Sequence, residues 1–360
     1  MPLDAGGVIL LDGSVHGDTR PSLAACPSCF RNVPIERTYN CAKCGKKYVC
    51  ETCWDREHRC CPDCASKARK AAAEHLWDGK TETFTLPGGV KMEMVYVAPG
   101  SFQMGSESGD DDEKPVHQVR LTKGYWIGKH PVTQRQWAAL VSANGVSFTK
   151  LPTAWFSVRG RGSARVAGMD TSEFPMENIS WEDCDALVKA LNRNEKGGRT
   201  WSLPTEAQWE FAARGGNKSC GYAYSGGDNL DALGWYYENS GIRRLDDSNL
   251  DFDKLDSNKC RTHSVREKDV GNELGIVGMS GNVWEWCYDA YDEDYYSRSP
   301  EVDPCNRASG GIRVLRGGSW HGYARSCRSA NRSVSGPGYR NYYYGFRLCC
   351  SAGPRGQETE

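Results

Sequence analysis

Four Cys-x2-Cys pairs between residues 26 and 64 constrain this chain more than any other feature. The pairs are Cys26/Cys29, Cys41/Cys44, Cys50/Cys53 and Cys61/Cys64, separated by 11, 5 and 7 residues. Each pair can present two thiolates to one ion, so four pairs supply two tetrahedral zinc sites. A segment this short cannot bury enough apolar surface to fold unaided, so metal binding would supply most of its folding free energy. Nine of the 17 cysteines fall between Cys26 and Cys64. The apolar run Val8–Leu11 is too short for a secretion signal and lacks a basic lead. Clustered pairs without such a signal point to metal rather than disulfides, and to a cytoplasmic location. Cys60 and His58 are alternative ligands beside the pairs.

Charge narrows the function classes. Lys+Arg number 45 against 46 Asp+Glu. No global basic field exists to draw in nucleic acid or an anionic membrane. No run approaches the ~20 apolar residues of a membrane span. The texture changes along the chain. Residues 1–25 read as a flexible lead, 26–64 as the zinc module, 65–83 as a helical linker, and 351–360 as a flexible tail. Residues 84–350 read as one large α+β domain of short strands, glycines and tryptophans. Three helices are expected in it: Thr133 to Leu140, Ser180 to Leu191, and Thr205 to Arg214. Ser180 with Asp183 is a loose capping box, and Gly215 is a stop after the third helix. Beyond Gly216 only loops and short strands are expected. Trp284 and Trp286 would share one face of a strand and are read as core.

The large domain carries ordered motifs: V-Y-V-A-P-G-S-F-Q-M-G from Val95, K-P-V-H-Q-V-R-L from Lys114, and G-Y-W-I-G-K-H-P-V-T-Q-R-Q-W from Gly124. N-I-S-W-E-D-C follows from Asn178, and L-P-T-E-A-Q-W-E-F-A-A-R-G-G from Leu203. G-N-V-W-E-W begins at Gly281, R-G-G-S-W at Arg316 and G-F-R at Gly345. Together they resemble the formylglycine-generating-enzyme (sulfatase-modifying factor) family. The resemblance implies a C-type-lectin-like fold, low in regular structure. It also implies a calcium ion held near Gly278, Gly281, Val283 and Glu285, largely through backbone oxygens and one carboxylate, a hard-ligand set that suits calcium. Oxidase members hold copper(I) with two cysteines after G-G-S-[WY]. Here Cys327 matches the second, while Gly322 stands at the first. One thiolate cannot make a two-sulfur site, so Cys327 reads as a small buried hydrophobe and no catalytic residue is assigned. The iron-dependent sulfoxide synthases related to this family need a histidine triad that this chain lacks. The cysteine module, for its part, resembles cross-braced fingers of the RING, FYVE and ZZ type. That resemblance implies pairs one and three on one zinc and two and four on the other. Spacing alone also permits sequential pairing.

The stretch from Trp320 to Arg347 resembles the variable region of proteins diversified by retroelements, in which adenines of Asn codons are randomised. Such codons yield His, Gly, Tyr, Ser, Val and Asn, but never Lys, Glu, Gln, Met or Trp. Residues 321–344 contain none of those five. The variable positions implied are His321, Gly322, Tyr323, Ser326, Asn331, Ser333, Val334, Ser335, Gly336, Tyr339, Asn341, Tyr342, Tyr343 and Tyr344. Tyr offers wide contact at low entropic cost, and Ser, Gly and Asn adapt their hydrogen bonds, as in binding loops. The expected function is therefore ligand binding, to a protein or glycan, at a surface spanning 321–344. The zinc module would dock a protein partner. The competing expectations are a metal-dependent oxidase with altered ligands and a zinc-module adaptor.

Overall fold

The structure is a computed structural model that describes residues 23–25, 32–34, 38–40, 49–50, 77–246 and 249–351. The chain divides into two compact units, Met1–Leu76 and Trp77–Glu360. In the first, β1 (Leu23–Ala25) pairs antiparallel with β2 (Asn32–Pro34), and β3 (Thr38–Tyr39) with β4 (Val49–Cys50). Cys26, Cys29, Cys41, Cys44, Cys53, Cys61 and Cys64, and the side chain of Cys50, lie outside the described residues. So do the linker up to Leu76 and the tail from residue 352.

The second unit begins its sheet at β5 (Thr81–Leu86), inside the segment read as a helical linker. Thr81, Thr83 and Thr85 alternate with Phe84 and Leu86, exposed against buried, and this period of two makes a strand. β5 pairs with β6 (Val90–Val97), which pairs with β9 (Tyr125–Gly128). β9 pairs with β15 (Cys349–Ser351), and β15 with β10 (Trp201–Ser202). The result is an antiparallel five-stranded sheet buried on both faces. Met92, Met94 and Tyr96 of β6 and Trp126 of β9 enter one core cluster, while Val95, Val97, Tyr125 and Ile127 enter another. A separate ribbon pairs β7 (Gly100–Met104) with β8 (His117–Leu121).

Helices cover the two faces. α1 (Gln134–Asn144) and α2 (Trp181–Asn194) bring Trp137, Leu140, Cys184, Leu187 and Leu191 to the first cluster. α3 (Glu206–Ala213) brings Trp209, Phe211 and Ala212 to the second. All three start at reciprocal capping boxes, Thr133/Gln136, Ser180/Asp183 and Thr205/Gln208, which satisfy orphan amide donors. Gly215 follows α3 at φ +88°, a left-handed stop. Past Gly216 the chain also forms α4 (Leu230–Leu233), α5 (Phe252–Ser257) and α6 (Tyr295–Arg298). Each is too short for a 3.6-residue period to show in sequence. No helix among the described residues is long and apolar enough to cross a membrane.

A second sheet carries the C-terminal segment. Its order is β13 (Arg332–Ser335), β12 (Arg313–Arg316), β11 (Trp284–Ala290), β14 (Tyr344–Gly345). Trp284 and Trp286 of β11 both lie in the first core cluster. Both edge strands come from residues 332–345, while the two inner strands come from outside 321–344.

Candidate functional site

Five arginines in and beside the segment 321–344, Arg316, Arg328, Arg332, Arg340 and Arg347, turn inward onto carboxylates. Arg316, fully buried, donates to Glu206 at 3.1 Å and to Glu210, and also to the carbonyls of Ser329 and Ala330. Arg332 grips both oxygens of Glu206, at 2.7 and 3.1 Å, and donates to the Asp112 carbonyl. Arg328 is bidentate on Glu113 at 2.9 and 2.6 Å. Arg340 is bidentate on Asp183, 2.7 Å for each bond. Arg347 is bidentate on Glu285 at 2.6 and 2.7 Å. Planar forks of this kind fix orientation as well as charge. Burial pushes the Glu113 and Glu210 carboxyls up, but the arginines on them prevail and hold both below the usual range. Buried Asp289, close to the Glu206 charge, is instead pushed up to about 7.

Most of residues 321–344 are half-buried or exposed, while Cys327, Ser329, Ala330, Asn331, Arg332 and Tyr344 are buried. Gly317 and Gly318 turn the chain out of β12 at φ +96° and +73°, and a Cβ on Gly318 would meet Cys327 Sγ at 2.6 Å. Beyond that turn, His321 stacks on Tyr343 with centroids 3.9 Å apart and hydrogen-bonds Ser319. Burial lowers the His321 pKa to about 4, so the ring is neutral. Tyr342 sits 5.1 Å from Trp155 and 5.8 Å from Trp320. The Tyr323 hydroxyl accepts from the Leu250 amide at 2.9 Å. Tyr339 is 59% exposed. Gly322, Ser326, Gly336 and Asn341 are half-buried. The structure thus brings His321, Tyr342 and Tyr343 into one aromatic group. It does not bring Ser333, Val334 and Ser335 into that group: they lie on β13, the edge strand opposite β14.

Two of the positions expected at the surface are not there. Asn331 is buried and donates inward to Asp110 at 3.0 Å and Glu113 at 3.1 Å. It completes the Glu113 clamp. Tyr344 is 8% exposed because it opens β14 beside Trp284, and its ring meets Trp286 edge-on at 5.2 Å. The anchoring carboxylates Glu113, Asp183, Glu206 and Glu210 were invisible as site residues in the sequence. Asp183 read there only as half of a capping box, and its arginine partner stands 157 positions away.

Glu285 and Cys327, the side chains that bear on the family's calcium and copper, are both buried. Both oxygens of Glu285 are taken by Arg347, and Trp209 Nε1 adds a third bond at 2.7 Å. Gly281 and Val283 lie in the turn beneath, where the Val283 amide donates to the Gly281 carbonyl. Gly278 turns at φ +70° beside Pro131. The Glu285 carboxylate of the expected calcium set is thus already engaged by a guanidinium and an indole. Cys327 is buried beside Leu230 and Tyr236, with its thiol pushed up to about 12 by burial. Gly322 offers no second sulfur. Among the described residues no cluster of three metal-ligating side chains occurs.

Residues 81–352 match the family described as the sulfatase-modifying factor enzyme 1-like domain. A formylglycine-generating enzyme of Streptomyces coelicolor is 31% identical over 301 residues, covering 72% of this chain and 89% of the relative. The solved structure of Treponema denticola variable protein 1 has a TM-score of 0.56 and 27% identity, over 76% of this chain and 99% of that one. PvdO from Pseudomonas aeruginosa shares the fold, with a TM-score of 0.56 and 23% identity over 74% of this chain and 98% of its own. The α+β, C-type-lectin-like architecture implied by the motifs is the one observed.

Proposed function

The chain belongs to the sulfatase-modifying factor enzyme family, and on that premise we propose that it is a ligand-binding member rather than an oxidase. Its contact surface is the segment 321–344, diversified by a retroelement at the positions between the arginine clamps. One observation carries this reading. Arg316, Arg328, Arg332, Arg340 and Arg347 are each bonded to a buried carboxylate, while most of the Tyr, Ser, Gly and Asn residues between them are half-buried or exposed. A scaffold held this way keeps its shape when the residues between change. The likeness to a protein described as a variable protein supports the same reading. The direct test is the DNA flanking the gene. It should hold a near-copy of the codons for residues 316–347, differing at adenines, beside a reverse-transcriptase gene. Its absence, together with related chains that vary no more at these positions than elsewhere, would sink the proposal.

The likeness to a formylglycine-generating enzyme keeps the oxidase reading open to trial. Turnover of a sulfatase-derived cysteine peptide in the presence of copper would decide it. For the N-terminal module, the eight paired cysteines would hold two zinc ions and present a docking face for a protein partner. Elemental analysis at two zinc per chain supports this, and a chain that stays folded in that module after exhaustive chelation contradicts it.

A further inference from the structure

We propose that the ligand surface has a second, invariant half: the loop from Ala154 to Gly162, which offers Trp155 as a permanent anchor and favours an acidic, aromatic-bearing segment of a protein partner. This rests on the reading of 321–344 as the contact surface.

The loop is built to hold one indole in place. The buried carboxylate of Glu177 accepts the amides of Trp155 and Phe156 at 3.0 and 2.8 Å. Gln134 donates to the Phe156 carbonyl at 3.0 Å. Phe156 itself is fully buried, edge-on to Trp320 at 5.3 Å. The chain then folds back over the indole. Gly162 donates its amide to the Trp155 carbonyl at 2.9 Å. A Cβ at Gly160 would sit 2.1 Å from that carbonyl, and one at Gly162 would sit 2.4 Å from the indole Cδ1. Only glycine permits so close a wrap. Trp155 remains partly exposed and packs against Tyr342, so its ring continues the aromatic group of His321, Tyr342 and Tyr343. A rigid aromatic in a preorganised frame costs little entropy on binding.

The charge contributed by the two segments that build this surface has one sign, although the exposed Glu182 carboxylate approaches Gly338. Neither 151–169 nor 316–347 contains an Asp or Glu. Arg165 is paired with Asp256, and the scaffold arginines are clamped. Arg159, Arg161 and Arg325 are exposed and have no carboxylate partner among the described residues. Arg161 lies 5.9 Å from the Trp155 ring and Arg325 4.6 Å from the Tyr323 ring, so two of the three stand beside the aromatic faces. On the neighbouring loop, Asp251 is spent capping α5. Val158, 74% exposed between Trp155 and Arg159, adds an apolar contact. Aromatic faces flanked by uncompensated guanidinium groups complement carboxylates and rings.

The test uses the full chain and a phage-displayed library of random dodecapeptides. Enriched peptides are synthesised and titrated against wild type, Trp155→Ala, the double variant Arg159→Glu/Arg161→Glu, and Tyr342→Ser. The expected peptides are net acidic and carry an aromatic residue. They lose about tenfold or more in affinity on Trp155→Ala. They lose similarly on the double variant, whose exposed positions keep the melting temperature of wild type, and that loss shrinks at high salt. Peptides indifferent to Trp155→Ala and the double variant but sensitive to Tyr342→Ser overturn the fixed-loop proposal and leave the proposed function standing. Peptides indifferent to all three, or no enrichment over an unrelated protein, overturn both.

Discussion

Arg332→Ala separates scaffold from contact surface most sharply. Its guanidinium is 1% exposed, its partner Glu206 is 3% exposed, and it also lies 4.2 Å from the Tyr296 ring. Removing one member of a buried pair costs ~3–5 kcal/mol, because the survivor keeps its charge. Glu206 retains Arg316 at 3.1 Å, so the lower end applies, about 3 kcal/mol. For a domain of this size 1 kcal/mol moves the melting temperature by about 2–4 °C, giving a drop of roughly 6–12 °C. Near-UV circular dichroism reports the tryptophan-rich unit directly. Ser333→Ala, the next residue on the same strand but half-buried, should stay within ~0.5 kcal/mol. If Arg332→Ala melts within about 2 °C of wild type, or Ser333→Ala costs as much, the clamp argument fails.

Tyr344→Ala should lower stability by ~3–5 kcal/mol as a core aromatic, whereas Tyr339→Ala should leave the urea midpoint almost unmoved while weakening ligand capture; equal costs would contradict the burial difference. His321 has its pKa depressed to about 4 from 6.5 by burial. Its contribution is therefore fully present above about pH 6.5 and is lost as pH falls toward 4. Melts from pH 4 to 7 should show the difference between wild type and His321→Asn changing across that window, and a constant difference would refute it. Gly322→Cys should fold normally, since a Cβ there meets nothing nearer than 3.6 Å. It should raise copper(I) affinity in a chelator competition by about tenfold or more, as soft two-sulfur ligation predicts, and unchanged affinity would show that positions 322 and 327 do not converge.

What could be read in the sequence was what acts over a few residues. The three long helices were legible, and the Ser180/Asp183 capping box forms as read; the boxes at Thr133/Gln136 and Thr205/Gln208, with the same spacing, went unread. The paired tryptophans of β11 followed from strand alternation. Partners far apart in sequence were opaque. Glu206 and Arg332 are 126 positions apart, and nothing in either neighbourhood names the other. Codon logic identifies what a position can become, not where its side chain points. It therefore grouped buried Asn331 and Tyr344 with exposed Tyr339. The short strand β14, one residue of which pairs with Trp284, decides the direction of Tyr344, and three consecutive tyrosines conceal it.

The placement of β15 has a consequence for any change in the segment that precedes it. This strand follows the variable residues in the chain, yet it sits inside the five-stranded sheet, bonded to β9 on one side and β10 on the other. A chain truncated within 321–344 would therefore lose an interior strand, leaving β10 without a partner and β9 bonded only to β6. Closing the five-stranded sheet thus requires the chain to be read in frame through the whole of 321–344.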